Sequence, residues 1–177
     1  KEHSYFLDSL EQAERFHRAL LNQMLKVNQP NTQQSMLRVS IVGAGATGTE
    51  LAAQLHHVAN LSRAYGMPEM SAQRLEISII EAGPRMLPAL PERIANAAKN
   101  ALQKIGVKIY ENTKVIRAEK KGFVTADEQL IEADLMVWAA GVKAPNLIKA
   151  LDMFETNRAQ QVLVDKQLRA QNYQDIY

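Results

Sequence analysis

Three glycines spaced as G-x-G-x-x-G, Gly43, Gly45 and Gly48, interrupt the stretch RVSIVGAGATGTE at residues 38–50. An apolar run precedes them and a polar, helix-like run follows. A strand that turns through glycines into a helix aims free backbone N–H groups and a partial positive charge at one spot, which suits phosphate. In the dinucleotide fingerprint the first glycine permits a tight turn and the second lets the backbone approach a pyrophosphate. The third lets the helix pack close to the strand. Gly43, Ala44, Gly45, Ala46, Thr47 and Gly48 are therefore the candidate cofactor-binding loop. A glycine turn without a ligand is the plainer alternative, and the alignment of strand, motif and helix weighs against it.

The fingerprint also asks for an acid at the end of the second strand. Glu81, followed by Ala82, stands directly after ISII. Its carboxylate can accept both hydroxyls of an adenosine ribose and would repel a 2′-phosphate, which favours NAD(H) over NADP(H). The sequence distance from the glycines is longer than usual, although the topological position is right. Arg85, four residues on, is the counter-argument, because an arginine there can meet a 2′-phosphate. Glu50 follows the last glycine by two residues and is expected in the first turn of the helix. There it serves equally as a charge favoured by the helix dipole or as a carboxylate facing the nicotinamide end of a pocket. Gly141, after Ala139 and Ala140, closes MVWAAG at the sheet edge where open α/β sheets bind ligands; as a strand terminator it needs none. His56 and His57 are adjacent on one helix, point about 100° apart, and have no third ligand at i+4, so they read as surface or packing residues.

Several elements must position these groups. A helix is expected from the stripe Leu10, Ala13, His17, Leu20, Met24, Val27, widened by Phe16 and Leu21, with Asp8 and Glu11 as a capping box. NQPNTQQS (28–35) reads as a polar loop with a proline stop, and Leu37 to Val42 as a strand. The next helix runs from Thr47 to about Tyr65 with Leu51, Leu55, Val58 and Leu61 on one face. LEISII (75–80) suits a strand buried on both sides. A proline-rich loop (83–91) leads to a helix with Pro91 at its start, Ile94, Ala98, Ala101, Leu102 and Ile105 as its buried face, and Gly106 at its end. VKIY is a third strand, residues 113–133 form a meander, DLMVWAAG (134–141) is a buried strand containing Trp138, and 161–170 reads as strand plus turn. The order implies an α/β fold: a Rossmann-like parallel sheet, covered on both faces, with an antiparallel β-meander. The expected division is a connector and helix at 1–36, the dinucleotide-binding domain at 37–150, and a C-terminal segment at 151–177.

Composition narrows the classes. The 177 residues suffice for one well-buried domain, and 46% apolar with 23% charged residues is ordinary for a soluble globular protein. The 21 basic and 19 acidic residues are scattered without a basic block, which argues against nucleic acid as a partner. With no cysteine, the chain has neither a thiolate nucleophile nor a cysteine-bound metal, and it suits a reducing compartment. No metal site is expected. No apolar stretch reaches the roughly 18–20 residues of a membrane span, and the start does not read as a signal peptide. The missing initiator methionine and the abrupt end at YQDIY suggest a piece of a longer protein.

The element order resembles the NAD(P)H domain of the two-dinucleotide flavoprotein reductases. IVGAGATGTELAAQLHH (41–57), IIEAGPRMLPALPERI (79–94), EADLMVWAAGVKAPNL (132–147) and QDIY (174–177) narrow the likeness to bacterial type II NADH dehydrogenases, NADH:quinone oxidoreductases that pump no protons. The likeness runs from about Leu7 to the end, and WAAGVKAP and EAGPRMLPALP are far more specific than the glycines. It implies a domain that binds NADH beside an FAD-binding domain in two halves, with hydride passing from NADH to FAD and electrons then to a quinone. It implies C-terminal helices that dock on the cytoplasmic face of the bacterial inner membrane, with a homodimer as an allowed state. Carried over by motif, the three glycines would hold the pyrophosphate and Glu81 the adenosine ribose. Glu50 would be the acid near the nicotinamide–flavin contact, and Ala139, Ala140 and Gly141 would border the nicotinamide half. Ala44 stands where glycine is common, which a negative φ tolerates. By the same likeness the chain alone should bind NADH without turning over. Another pyridine nucleotide-dependent reductase of this superfamily and a non-catalytic NADH-sensing module are the alternatives; a methyltransferase-like nucleoside site fits the glycines but not the meander.

Overall fold

The computed structural model describes residues 3–29, 34–141 and 143–177. The proline stop expected at Pro30 falls outside them. The chain divides into two compact units, one ending at Ala140 and one beginning at Gly141.

In the first unit a short strand β1 (Tyr5–Phe6) leads to helix α1 (Leu10–Val27), strand β2 (Leu37–Val42), helix α2 (Ala46–Leu61) and strand β3 (Leu75–Ile80). Helix α3 (Glu92–Lys104), strand β4 (Lys108–Tyr110), the meander β5 (Val115–Glu119), β6 (Gly122–Thr125) and β7 (Leu130–Glu132), and strand β8 (Leu135–Trp138) follow. The main sheet has the order β1-β8-β2-β3-β4 and every pairing in it is parallel. Val39, Ile41, Ile77, Ile79, Leu135 and Val137 face one way and pack with Phe16, Leu20 and Met24 of α1, Ala52 and Leu55 of α2, and Ala95 and Leu102 of α3. The alternate residues Val42, Ile80 and Met136 pack on the other side with Phe123 and Ala133 of the meander. The alternation of period two thus sorts helices and meander onto opposite faces, and the steady walk β1, β2, β3, β4 in one direction needs only right-handed crossovers. The expected α/β architecture is present. On the face of Val42 and Ile80, the buried hydroxyls of Ser40 and Ser78 satisfy each other at 2.6 Å across the β2–β3 pair.

Several local expectations are corrected. The α1 cap is Ser9, whose hydroxyl accepts the Gln12 N–H, while the Gln12 side chain accepts the Asp8 N–H. The capping pair is therefore Ser9–Gln12, one residue from the Asp8–Glu11 pair, with the Gln12 side chain closing on the N–H before the cap. Helix α2 starts at Ala46, with Gly45 as its cap, and it ends at Leu61, with a 3-10 turn over Ser62–Tyr65. Its buried residues are Gly48, Ala52, Leu55 and Ala59, whereas Val58 and Leu61 are exposed. On α3 the buried residues are Ala95 and Leu102, and Ile94, Ala101 and Ile105 face outward. On α1 Phe16, Leu20, Met24 and Val27 are buried, and Leu10, His17 and Leu21 are not. Close helix–sheet packing explains the rotation on α2 and α3: small residues take the nearest contact and larger apolar ones are displaced to the flank.

In the second unit, helix α4 (Asn146–Leu151) follows Pro145. The strand expected over 161–170 is absent; only isolated bridges join Thr156 to Val162 and Val164 to Ala170. Left-handed backbone at Gln160, Leu168 and Asn172 turns the chain too often for a ladder to extend. Phe154 and Tyr173 meet as tilted rings with centroids 5.6 Å apart, and the Tyr173 hydroxyl donates to the Met153 carbonyl at 2.8 Å. Among the described residues no helix is long and apolar enough to cross a membrane.

Candidate functional site

The carboxyl ends of β2, β3 and β8 converge on the glycine loop. Gly43 N–H donates to the Ile80 carbonyl at 2.8 Å, which ties the start of the loop to the end of β3. Gly43 has φ +105, and a Cβ there would lie 2.8–2.9 Å from Ala140 backbone and side-chain atoms. The first glycine thus has two structural reasons, left-handed backbone and contact with the segment after β8. Gly48 has a third: a Cβ on it would stand 2.0 Å from the Gly43 carbonyl oxygen. Gly45 differs from both. Its φ is −73 and a Cβ would meet nothing within 4 Å, so protein packing does not require a glycine there. It caps α2 without a side-chain hydrogen bond, leaving the first N–H groups of a 16-residue helix facing this open side.

Glu81 is the first residue after β3, and its carboxylate bridges two loops. Oε2 accepts the Ala44 N–H at 2.9 Å and Oε1 accepts the Gly83 N–H at 2.8 Å. A carboxylate oxygen has more than one acceptor direction, so both oxygens keep capacity for a further donor. Ala82 beside it is exposed. The loop from 83 to 91 folds back over the glycine turn: Leu87 N–H donates to the Ala44 carbonyl at 2.8 Å. The Ala44 peptide is thereby held through its N–H by Glu81 and through its carbonyl by Leu87.

Arg85 turns inward on its own loop. Its guanidinium donates to the carbonyls of Leu87 at 3.2 Å, Pro88 at 2.8 Å and Leu90 at 3.0 Å. After β8, Ala139 N–H bonds the Val42 carbonyl at 2.8 Å and the Trp138 indole N–H donates to the Ala140 carbonyl at 3.1 Å. Gly141 begins the second unit with φ +78 and open space around it, so its backbone alone favours glycine.

The fold therefore brings Gly43, Ala44, Gly45, Gly48, Glu81 and Ala140 together at one sheet edge. Ala46 and Thr47 are exposed on the first turn of α2. Glu50 is not in that turn. Because the helix begins at Ala46, Glu50 is its fifth residue, exposed on the second turn, where the dipole reading has less force. His56 is half-buried with Nδ1 3.3 Å from the Asn60 amide nitrogen, and His57 is exposed. Not among the sequence candidates is Glu111, whose Oε1 accepts the Met86 N–H at 2.9 Å and whose Oε2 pairs with Lys99. The Lys99 ammonium beside it holds the Glu111 carboxyl below its ordinary value, with burial opposing and the Met86 bond assisting. The signal was a glutamate directly after a strand, in KIYE as in ISIIE.

A parallel βαβαβ sheet with helices on one face, a meander on the other, and this loop at its carboxyl edge defines a pyridine nucleotide-binding domain of the flavoprotein disulfide reductase type. The chain belongs to the pyridine nucleotide-disulphide oxidoreductase family, whose model matches residues 1–177. It is 36% identical to the type II NADH:quinone oxidoreductase of Haemophilus influenzae over 93% of its own length, and 32% identical to that of Staphylococcus saprophyticus over 80%. It spans 40% and 35% of those relatives. Among solved structures, NDH2 from Plasmodium falciparum in complex with NADH superposes with a TM-score of 0.72 at 25% identity, covering 84% of this chain and 32% of that one. A ferredoxin reductase from Rhodopseudomonas palustris shares the fold with a TM-score of 0.65.

Proposed function

We infer that this chain is the NADH-binding domain of a membrane-associated, FAD-dependent NADH:quinone oxidoreductase. One observation carries the dinucleotide part: the Glu81 carboxylate, anchored on the Ala44 and Gly83 N–H groups, stands beside a glycine loop in which Gly45 faces open space. The residues fit the cofactor. The open side of Gly45 and the free N–H groups of α2 would receive the pyrophosphate, and the remaining acceptor directions of Glu81 the adenosine ribose hydroxyls. Ala139, Ala140 and Gly141 would border the nicotinamide half, and Glu50 would approach the nicotinamide end as a carboxylate. NADH supplies the hydride when bound, FAD accepts it in the full-length protein, and a quinone collects the electrons. Two features favour NADH over NADPH: Glu81 would repel a 2′-phosphate, and Arg85 is engaged with three carbonyls of its own loop.

The names of the relatives support the quinone reductase reading, as does the complex of Plasmodium NDH2 with NADH. Location at the cytoplasmic face of the inner membrane, and a homodimer, belong to that same reading of the full-length protein. Calorimetric titration of the 177-residue chain with NADH and NADPH, and of a Glu81→Ala variant with NADH, tests the core of it. NADH should bind more tightly than NADPH, and the variant should lose about tenfold or more. NADPH binding equal to or tighter than NADH overturns the NADH assignment. No turnover is expected until flavin-binding segments are joined to the chain.

A further inference from the structure

The segment that leaves β4 grips the loop beyond Glu81 at four points. The Tyr110 carbonyl accepts the Glu81 N–H at 2.8 Å, and Thr113 N–H donates to the Glu81 carbonyl at 2.8 Å. Asn112 N–H donates to the Gly83 carbonyl at 2.8 Å, and the Glu111 side chain accepts the Met86 N–H at 2.9 Å. Three of the four are backbone bonds that any sequence could make. The fourth depends on one side chain, held in place by Lys99 on α3. Met86, whose N–H it holds, is buried, and the next residue, Leu87, has left-handed backbone at φ +48 and delivers its N–H to the Ala44 carbonyl. The same turn presents the Leu87, Pro88 and Leu90 carbonyls that occupy Arg85.

We propose that Glu111, seated by Lys99, is a positioning residue that sets the choice between NADH and NADPH. It acts on the adenosine end through the 84–90 loop and touches no part of the cofactor. Pinning Met86 keeps Leu87 on Ala44, which leaves the Ala44 N–H aimed at Glu81. It also keeps the three carbonyls around the Arg85 guanidinium. Without the pin the loop relaxes, Glu81 loses part of its fixed orientation, and Arg85 is released toward the surface where a 2′-phosphate would lie. A free guanidinium beside a phosphate forms short, charge-assisted bonds, so the released arginine turns from a latch into a receptor.

This rests on the dinucleotide reading above, and the test separates the two. The 177-residue chain is titrated with NADH and with NADPH as wild type, Glu111→Ala, Glu111→Gln, Lys99→Met and the double variant Glu111→Ala/Arg85→Ala. Amide exchange at Met86 and Leu87 is followed in the same proteins. Glu111→Ala should weaken NADH about threefold to tenfold, the loss expected of one partly buried hydrogen-bonded contact, and should leave NADPH unchanged or tighter. Exchange at both amides should accelerate. Glu111→Gln, which keeps an acceptor for Met86, should restore most of the preference, and removing Arg85 as well should abolish any gain in NADPH binding. A Glu111→Ala protein that weakens both cofactors by the same factor overturns the positioning role and leaves the cradle standing. Where that variant fails to fold, Lys99→Met carries the test, and an unchanged NADH-to-NADPH ratio in it overturns the proposal. A wild-type chain that binds neither cofactor overturns the cradle, and the positioning role with it.

Discussion

The three glycines of the loop do different work, and alanine substitutions should separate them. At Gly48 a new Cβ would lie 2.0 Å from the Gly43 carbonyl oxygen, 3.2 Å from the Gly43 carbonyl carbon and 3.3 Å from Ile41 Cγ2. The first distance is about 1.4 Å short of an ordinary contact, and the neighbour is backbone just past the end of a central strand, which has little room to yield. Opening that gap should cost about 3 kcal/mol, the upper part of the range for overpacking. In a chain of this length that corresponds to a fall of about 6–12 °C in Tm. At Gly45 the Cβ meets nothing and φ is already negative, so Gly45→Ala should cost no more than about 1 kcal/mol as a poorer helix cap. Its effect should fall on the ligand, with NADH affinity lowered about tenfold or more because the methyl group occupies the side open to the pyrophosphate. Thermal unfolding and NADH titration of both variants decide the matter. A Gly45→Ala protein that binds NADH as the wild type does would refute the assignment of that open space. A Gly48→Ala protein that melts within about 2 °C of wild type would refute the steric argument.

Other outcomes follow from contacts described above. Phe123 is fully buried under the sheet and meets Trp138 edge to face at 6.3 Å, so Phe123→Ala should destabilise by about 3–5 kcal/mol. Denaturant unfolding followed by the fluorescence of Trp138 measures it. Arg85→Ala should lower stability by about 1 kcal/mol through loss of the loop carbonyl bonds, yet leave NADPH affinity no weaker than wild type. A marked loss of NADPH binding would show that the arginine already serves a phosphate. The Glu111 carboxyl is held below its ordinary value of 4.5 by Lys99, so its stabilising contribution is complete above that pH and is lost as pH falls through the depressed folded value. Urea midpoints of wild type and Glu111→Gln should therefore differ by a constant amount at neutral pH and converge in acid. A difference that persists unchanged at the acid end would contradict this.

The two central strands are the most legible part of the sequence, in contrast to the strand expected over 161–170 and the short β1. Leu37–Val42 and Leu75–Ile80 are found where the apolar runs place them, because a strand covered on both faces has no room for polar interruption. Helix faces were less legible. Of the large apolar residues that define the expected stripe on α2, Leu55 is buried, but the fold gives the rest of the buried face to Gly48, Ala52 and Ala59 and leaves Val58 and Leu61 outside. Moving the start of α2 back by one residue, with Gly45 as cap, was enough to take Glu50 out of the first turn. At the site, Glu81 was readable from its place after a strand, but its bonds to Ala44 and Gly83 were not. Those bonds join residues 37 and 2 positions apart through a turn that only the packed loop defines. The inward Arg85 has the same cause: sequence supplies the charge, and the carbonyls that engage it come from the turn.

The strand order carries a consequence for how the molecule is assembled. β8 lies between β1 and β2, and Tyr5 and Phe6 find their partners, Val137 and Trp138, more than 130 positions later in the chain. During synthesis β1 therefore lacks its β8 partner, and one side of β2 stays an open edge, until residues 135–138 emerge. The last strand of the unit completes the first, and loop closure on that scale places the step late in folding. A nascent chain halted before β8 leaves the Arg38 and Val42 carbonyls of β2 without the Asp134 and Ala139 N–H groups that they later accept, so that interval exposes a strand edge open to wrong pairing.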